Sequence, residues 1–199
     1  MARKPRNADT LPDLNEIESE MSQVRSKGKY RQALRGTIGT FIVVAALAVI
    51  IAFLFLPVLR ITNGHNMEPG FQPGDLVVLA KTDNVKTGEV CAFYFNNKLL
   101  LRRVIAREGD KVEIDEKGYV KVNGEFLEEE GYISEHALGL CDIDFPFRVP
   151  AGQLFVMGDN RDYALDSRAT NFGCIAQEEI YGKPLARIYP FNSLTWYGF

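Results

Sequence analysis

Residues 38–59 read Ile-Gly-Thr-Phe-Ile-Val-Val-Ala-Ala-Leu-Ala-Val-Ile-Ile-Ala-Phe-Leu-Phe-Leu-Pro-Val-Leu, without one charged side chain. As an α-helix this stretch would rise about 33 Å, enough to cross a hydrocarbon core of about 30 Å. A cleaved secretory signal has a shorter apolar core, about 7–15 residues, followed by a small-residue cleavage site. Ala45-Ala46-Leu47-Ala48 resembles such a site, but the apolar run continues well past it. The stretch therefore reads as an uncleaved transmembrane anchor. It divides the chain into a tail of residues 1–37 and an outer part of residues 60–199.

Charge sets the expected orientation. Arg25, Lys27, Lys29, Arg31 and Arg35 crowd the N-terminal flank of the anchor, whereas only Arg60 follows it before Lys81. Cationic flanks stay cytoplasmic, so the tail is expected inside the cell membrane and the rest outside, in a single-pass arrangement with membrane lipid around the anchor. The tail carries eight Lys and Arg against five Asp and Glu, and the remainder fifteen against twenty-one. An outer domain of that acidic balance lacks the basic face that nucleic acid requires, so no nucleic-acid partner is expected. Within the tail, Thr10, Pro12, Asp13 and Glu16 have the pattern of a helix start. Leu14, Ile17, Met21 and Val24 form one apolar stripe, so the basic tail is expected to be partly helical up to Gly28.

Beyond the anchor the periodicity becomes that of strands. Asp75–Ala80, Glu89–Phe95, Leu99–Ala106 and Lys111–Ile114 are short and β-branched or aromatic, with Pro-Gly-Asp, Asn-Asn-Lys and Glu-Gly-Asp between them. Tyr119-Val-Lys-Val followed by Asn123-Gly124 reads as a hairpin with a two-residue turn. No long helical pattern intervenes. The expected class is mainly β, a coiled-sheet or barrel-like outer domain with one N-terminal transmembrane helix. Cys91, Cys141 and Cys174 lack metal-ligand spacing and are too few for a disulfide framework, with at most one pair able to form. No phosphate-binding glycine loop and no His-Glu-x-x-His occurs, so neither a metal nor another cofactor is expected.

Three ordered segments resemble the boxes of type I signal peptidases, the Gram-positive subtype of peptidase family S26. Gly64-His65-Asn66-Met67-Glu68-Pro69-Gly70-Phe71 is similar to that family's nucleophile box, Gly-x-Ser-Met-x-Pro-Thr-Leu. Arg102-Arg103-Val104-Ile105-Ala106-Arg107-Glu108-Gly109-Asp110 is similar to the box that opens Lys-Arg-Val-Ile-Gly and closes Gly-Asp. Gly158-Asp159-Asn160-Arg161-Asp162-Tyr163-Ala164-Leu165-Asp166-Ser167-Arg168 is similar to Gly-Asp-Asn-Arg-Asp-Asn-Ser-x-Asp-Ser-Arg. Gly182-Lys183 and Tyr189-Pro190-Phe191-Asn192 extend the likeness downstream.

The resemblance implies hydrolysis of a signal peptide by a serine hydroxyl that a neutral lysine amine activates. Serine is a poor nucleophile until a base takes its proton, and lysine is that base only when burial lowers its pKa. Here Asn66 stands at the serine position and Arg102 at the lysine position. An asparagine amide is a negligible nucleophile, and a guanidinium stays protonated. Ala164 stands where the family has the serine that orients the lysine, so no catalytic position is intact. No serine lies between Ser26 and Ser134, and a Cys91–His65 pair is less expected than a thiol packed inside a strand.

The other box residues are retained. Met67 and Pro69 are expected to shape a substrate cleft. Arg103, Gly109, Asp110, Gly158, Asp159, Asn160, Arg161, Asp166, Ser167 and Arg168 are expected to be structural, Asp166 and Arg168 as an acid–base pair. Arg102 is expected to meet an acidic group, Asp166 or Asp162 of this chain or one on a partner. By the resemblance, the chain is expected to bind extended segments of exported or surface proteins without cutting them. Signal peptides or pilin subunits would be its partners, since incomplete relatives act as chaperone-like factors in pilus assembly. The alternative is an active type I signal peptidase, a serine-type endopeptidase in signal-peptide processing, working with atypical residues.

Overall fold

The structure, a computed structural model, describes residues 34–51, 56–62 and 64–197. The expected tail helix and the cations Arg25 to Arg31 lie outside these residues. Helix α1 spans Leu34–Ile51, 18 residues long and apolar from Ile38 onward except for Thr40, about 27 Å of helix. The Thr40 hydroxyl donates to the Gly36 carbonyl at 3.0 Å and so hides its own polarity. By length and composition the helix could cross a membrane.

The apolar stretch does not stay helical to Leu59. Val58 and Leu59 lie in strand β1 (Val58–Arg60), paired antiparallel with β2 (Leu76–Ala80) in the register Val58↔Val78. Pro57 accounts for the change. It has no N–H for a helical turn, and its carbonyl accepts from the Leu79 N–H at 2.8 Å instead.

Ten further strands follow. They are β3 (Val90–Phe95), β4 (Lys98–Arg107), β5 (Lys111–Ile114), β6 (Val120–Val122), β7 (Glu125–Phe126), β8 (Phe147–Arg148), β9 (Gln153–Met157), β10 (Ile175–Ala176), β11 (Ile180–Tyr189) and β12 (Thr195–Trp196). The larger sheet runs β1-β2-β11-β3-β4-β9-β10, with β12 also on β11, and a smaller one runs β7-β6-β5-β8. Two hairpins close as their sequence demands. Asn96 and Asn97 (φ 47° and 63°) join β3 to β4, and Asn123 and Gly124 (φ 55° and 89°) join β6 to β7. Positive φ at both central residues gives the two-residue turn that matches strand twist, which Asn and Gly tolerate.

Strands β4 and β9 are apolar on both faces and form a wall between two cores. Val104, Leu154 and Val156 face one, with Cys91 and Phe93. Ile105, Phe155 and Met157 face the other, with Val112 and Val120 of the small sheet. A third core, of Met67, Phe71, Val77, Leu79, Ala92 and Leu101, lies inside the coil of the large sheet. That coil does not close. Among the described residues β1 pairs only with β2, and β9 joins β4 only from Arg103 onward, so there β1 and the segment Lys98–Arg102 each keep a free edge. The fold is the expected mainly β, coiled-sheet architecture.

Candidate functional site

The site is built on the turn that carries Asn66. Gly64 has φ +95°, and a Cβ there would stand 2.3 Å from Asn66 Nδ2, so only glycine lets the amide lie over it. The Asn66 carbonyl accepts from the Asn160 N–H at 3.1 Å, and the Ala164 N–H donates to the Asn160 carbonyl at 3.0 Å. Gly158 lies where these strands of chain converge. A Cβ on it would meet Ala164 Cβ at 2.2 Å and the Asn66 carbonyl at 2.6 Å. Asn66 and Ala164, more than ninety residues apart, are thus held on either side of one glycine.

Arg102 completes the group from β4, opposite Cys91 of β3. It is 4% exposed. Its Nε and Nη2 donate to the Leu165 carbonyl at 3.0 and 2.8 Å, its Nη1 to the Leu101 carbonyl at 2.6 Å, and its Nη2 to Asn66 Oδ1 at 3.3 Å. None of these acceptors is a carboxylate, which corrects the expected pairing with Asp166 or Asp162. Asp166 is engaged elsewhere, and Asp162 is exposed at the surface. Burial lowers the Arg102 pKa, and the field of nearby Asp166 opposes the drop. A guanidinium starts so far above neutrality that the side chain remains a cation.

The retained box residues form the frame. Asp166, fully buried, accepts from Arg168 Nε and Nη2 at 2.8 Å each and from the Gly158 N–H at 2.9 Å. Ser167 Oγ accepts from the Val156 N–H at 3.0 Å. Arg103 grips Asp159 with two bonds of 2.8 and 2.6 Å. Asp110, after Gly109 (φ +83°), takes the Arg107 N–H at 2.9 Å and Asn123 Nδ2 at 2.8 Å. Arg161 is buried on Glu129 and on the Gly158 carbonyl.

Beside Asn66 and Arg102 lies a groove of about 450 Å³, walled by Leu59 to Thr62, at and just after the end of β1, and by Lys98 to Leu101 of β4, with Met67 and Phe71 also lining it. Met67 lines this groove. Pro69 does not: it lines a separate hollow of about 460 Å³ with Arg103 and Tyr132.

Residues 34–189 match the family described as signal peptidase, peptidase S26. The chain belongs to the type I signal peptidase family. It is 32% identical to signal peptidase I of Bacillus licheniformis over 87% of its own length and 98% of that protein's. It is 30% identical to signal peptidase IB of Staphylococcus aureus (strain MRSA252), over 78% and 92%. A signal peptidase I crystal structure from Enterococcus faecalis V583 is 26% identical, covering 50% of this chain and 96% of that one with a TM-score of 0.41.

In this signal peptidase family member, Asn66, Arg102 and Ala164 supply hydrogen bonds, a fixed positive charge and a methyl group. Neither Cys91 nor His65 takes over as a nucleophile. Cys91 is fully buried, and burial pushes its thiol up to about 12. His65 is exposed and bonded to Glu68 at 2.6 Å, so no Cys91–His65 pair exists. All three cysteines are free, so the one pair their number allowed is not formed.

Glu129 was not legible as a frame residue. It sits in Glu128-Glu129-Glu130, which reads as a solvated charge run, yet it is 1% exposed. Its carboxylate takes Arg161 and the Tyr132 hydroxyl (3.2 Å) on Oε1, and Oε2 stands 3.4 Å from His136 Nδ1. The one available signal was Arg161, a long cation inside a retained box that needs an acid somewhere distant.

Proposed function

We propose that this member of the signal peptidase family binds an extended segment of an exported protein in the groove and does not cut it. The observation that carries the reading is the pair at the groove's inner end. Asn66 and Arg102 occupy the positions of nucleophile and base and are hydrogen-bonded to each other. A hydrolase there needs a group that can lose a proton and attack, and a second that can accept that proton. Neither an amide nor a protonated guanidinium does either.

Binding needs less. The groove lies between two free strand edges, and strand addition uses main-chain hydrogen bonds and side-chain pockets, not a nucleophile. Leu59, Ile61, Met67, Leu99 and Leu101 offer the apolar floor and walls such a segment would occupy. The frame of Asp159, Arg161, Asp166 and Arg168 keeps that surface rigid. Oriented by its basic tail, the chain holds residues 60–199 outside the membrane, anchored by α1. There it meets exported precursors with signal peptides or assembling surface subunits such as pilins.

The names of the relatives favour a second reading, an active serine-type signal peptidase that uses another group. One experiment separates the two. The full chain in detergent micelles is mixed with an exported precursor carrying its signal peptide, repurified through a tag, and weighed by mass spectrometry. The proposal expects precursor of unchanged mass to co-purify. Release of mature protein, or no association, would reject it.

A further inference from the structure

The groove of an acidic protein is itself cationic. The chain carries a net charge of −3, yet the described lining of the groove contains Arg60, Lys98 and Arg102 and no aspartate or glutamate. Arg102 is the telling member. It is a buried cation with four hydrogen bonds to neutral oxygens and no ion pair among the described residues. A buried charge with no carboxylate in contact is costly, and among the described residues the other buried arginines avoid it. Buried Arg161 and Arg168 each have a carboxylate, and so does Arg103. The longest of the Arg102 bonds, 3.3 Å to Asn66 Oδ1, is the one on the groove side, where a stronger acceptor would displace it.

Lys98 extends the pattern. It lies four residues before Arg102 on β4, so the two occupy the same face about 13 Å apart. Lys98 is exposed and Arg60 stands on the opposite wall, also exposed. A segment added along the free edge of Lys98–Arg102 would set its own residues against both positions, and opposite charges facing across paired strands attract. We infer that the groove selects an extended segment bearing two acidic side chains four residues apart, one seated on Arg102 and the other beside Lys98. A single chain-terminal carboxylate satisfies only one of these positions, which favours side chains as the source. The inference rests on the non-cutting, segment-binding reading and names the chemistry of the segment.

The test uses fluorescence anisotropy with the full chain in uncharged detergent micelles and three labelled heptapeptides. The first is Val-Asp-Ala-Val-Ala-Asp-Val with an amidated C-terminus. The second carries asparagine at both acidic positions, and the third is that asparagine peptide with a free C-terminal carboxylate. The acidic peptide is expected to bind about tenfold or more tightly than its amidated asparagine twin, the size of one charge-assisted hydrogen bond. Added salt should shrink that ratio. Arg102→Met should bring it close to one. Because that change strands the Leu165 carbonyl and endangers folding, Lys98→Gln on the exposed surface is the second arm, expected to reduce the ratio several-fold. Equal binding of all three peptides, or a ratio that survives Lys98→Gln unchanged, overturns the acidic preference while leaving segment binding intact. Tightest binding by the third peptide reassigns Arg102 to a chain end and overturns the proposal. Binding by none rejects the segment-binding reading as well.

Discussion

Replacing Asp166 with alanine should cost this fold a large part of its stability. The carboxylate is fully buried and accepts from Arg168 Nε and Nη2, from the Arg168 N–H at 3.2 Å, and from the Gly158 N–H. Arg168 would keep only the Leu138 and Ala137 carbonyls on Nη1, at 2.8 and 3.2 Å, and a distant contact of 3.5 Å to Ala164. Breaking a buried pair from one side costs about 3–5 kcal/mol because the remaining charge is uncompensated. Domains have about 5–15 kcal/mol in total. With a urea slope of about 2 kcal/mol per molar, the midpoint should fall by about 2 M, followed by circular dichroism of the full chain in micelles. The double replacement Asp166→Leu with Arg168→Met removes both charges and should recover most of the loss, since apolar substitutes for a buried pair are often neutral. A single-variant fall below about 0.5 M, or a double variant no better than the single, would refute the view that this pair stabilises the frame by charge.

Gly158→Ala would force a methyl group to within 2.2 Å of Ala164 Cβ and 2.6 Å of the Asn66 carbonyl. Overpacking of this kind costs about 1–3 kcal/mol, so thermal melting should drop by several degrees, and an unchanged melt would show that the three segments do not meet so closely. Asp142 is held below the usual aspartate range by the Thr170 N–H (2.5 Å) and by the Thr170 hydroxyl (2.9 Å). A lowered folded-state pKa contributes stability above the unfolded value that is lost as pH falls through the folded one. The Thr170 amide resonance should therefore titrate below the ordinary aspartate value of about 3.9, and a midpoint at or above it would contradict the contact. Burial pushes the thiol of Cys91 up to about 12 and that of Cys174 up to about 11. Native alkylation at pH 8 should thus reach fully buried Cys91 last, and early labelling of Cys91 in peptide mass spectra would show that its strand opens.

Much of this arrangement was readable beforehand because local rules governed it. Strands β2 to β5 are β-branched or aromatic runs set off by turn residues, and Asn123-Gly124 could close only one kind of turn. The last box announced its own salt bridge, since Asp166 and Arg168 lie two residues apart and meet within the box. What escaped depended on long-range placement. Val58 and Leu59 are as apolar as the residues before them, and beside Pro57 it is the long-range pairing with β2 that makes them strand. Arg102 was expected on a carboxylate, but Asp166 was already committed to Arg168, and the Leu165 and Leu101 carbonyls lay within reach. Glu129 is hidden in an acidic run because its partner, Arg161, comes thirty-two residues later.

The central claim, that Asn66 and Arg102 form an inert pair beside a working groove, is tested most directly by one cleavage assay. The full chain is incubated with a fluorogenic signal-peptide substrate beside signal peptidase I of Bacillus licheniformis under the same conditions. The claim predicts cleavage by the relative and only the substrate's spontaneous rate with this chain. A rate above that background, lost on Asn66→Ala or Arg102→Met in a variant that still folds, would contradict it.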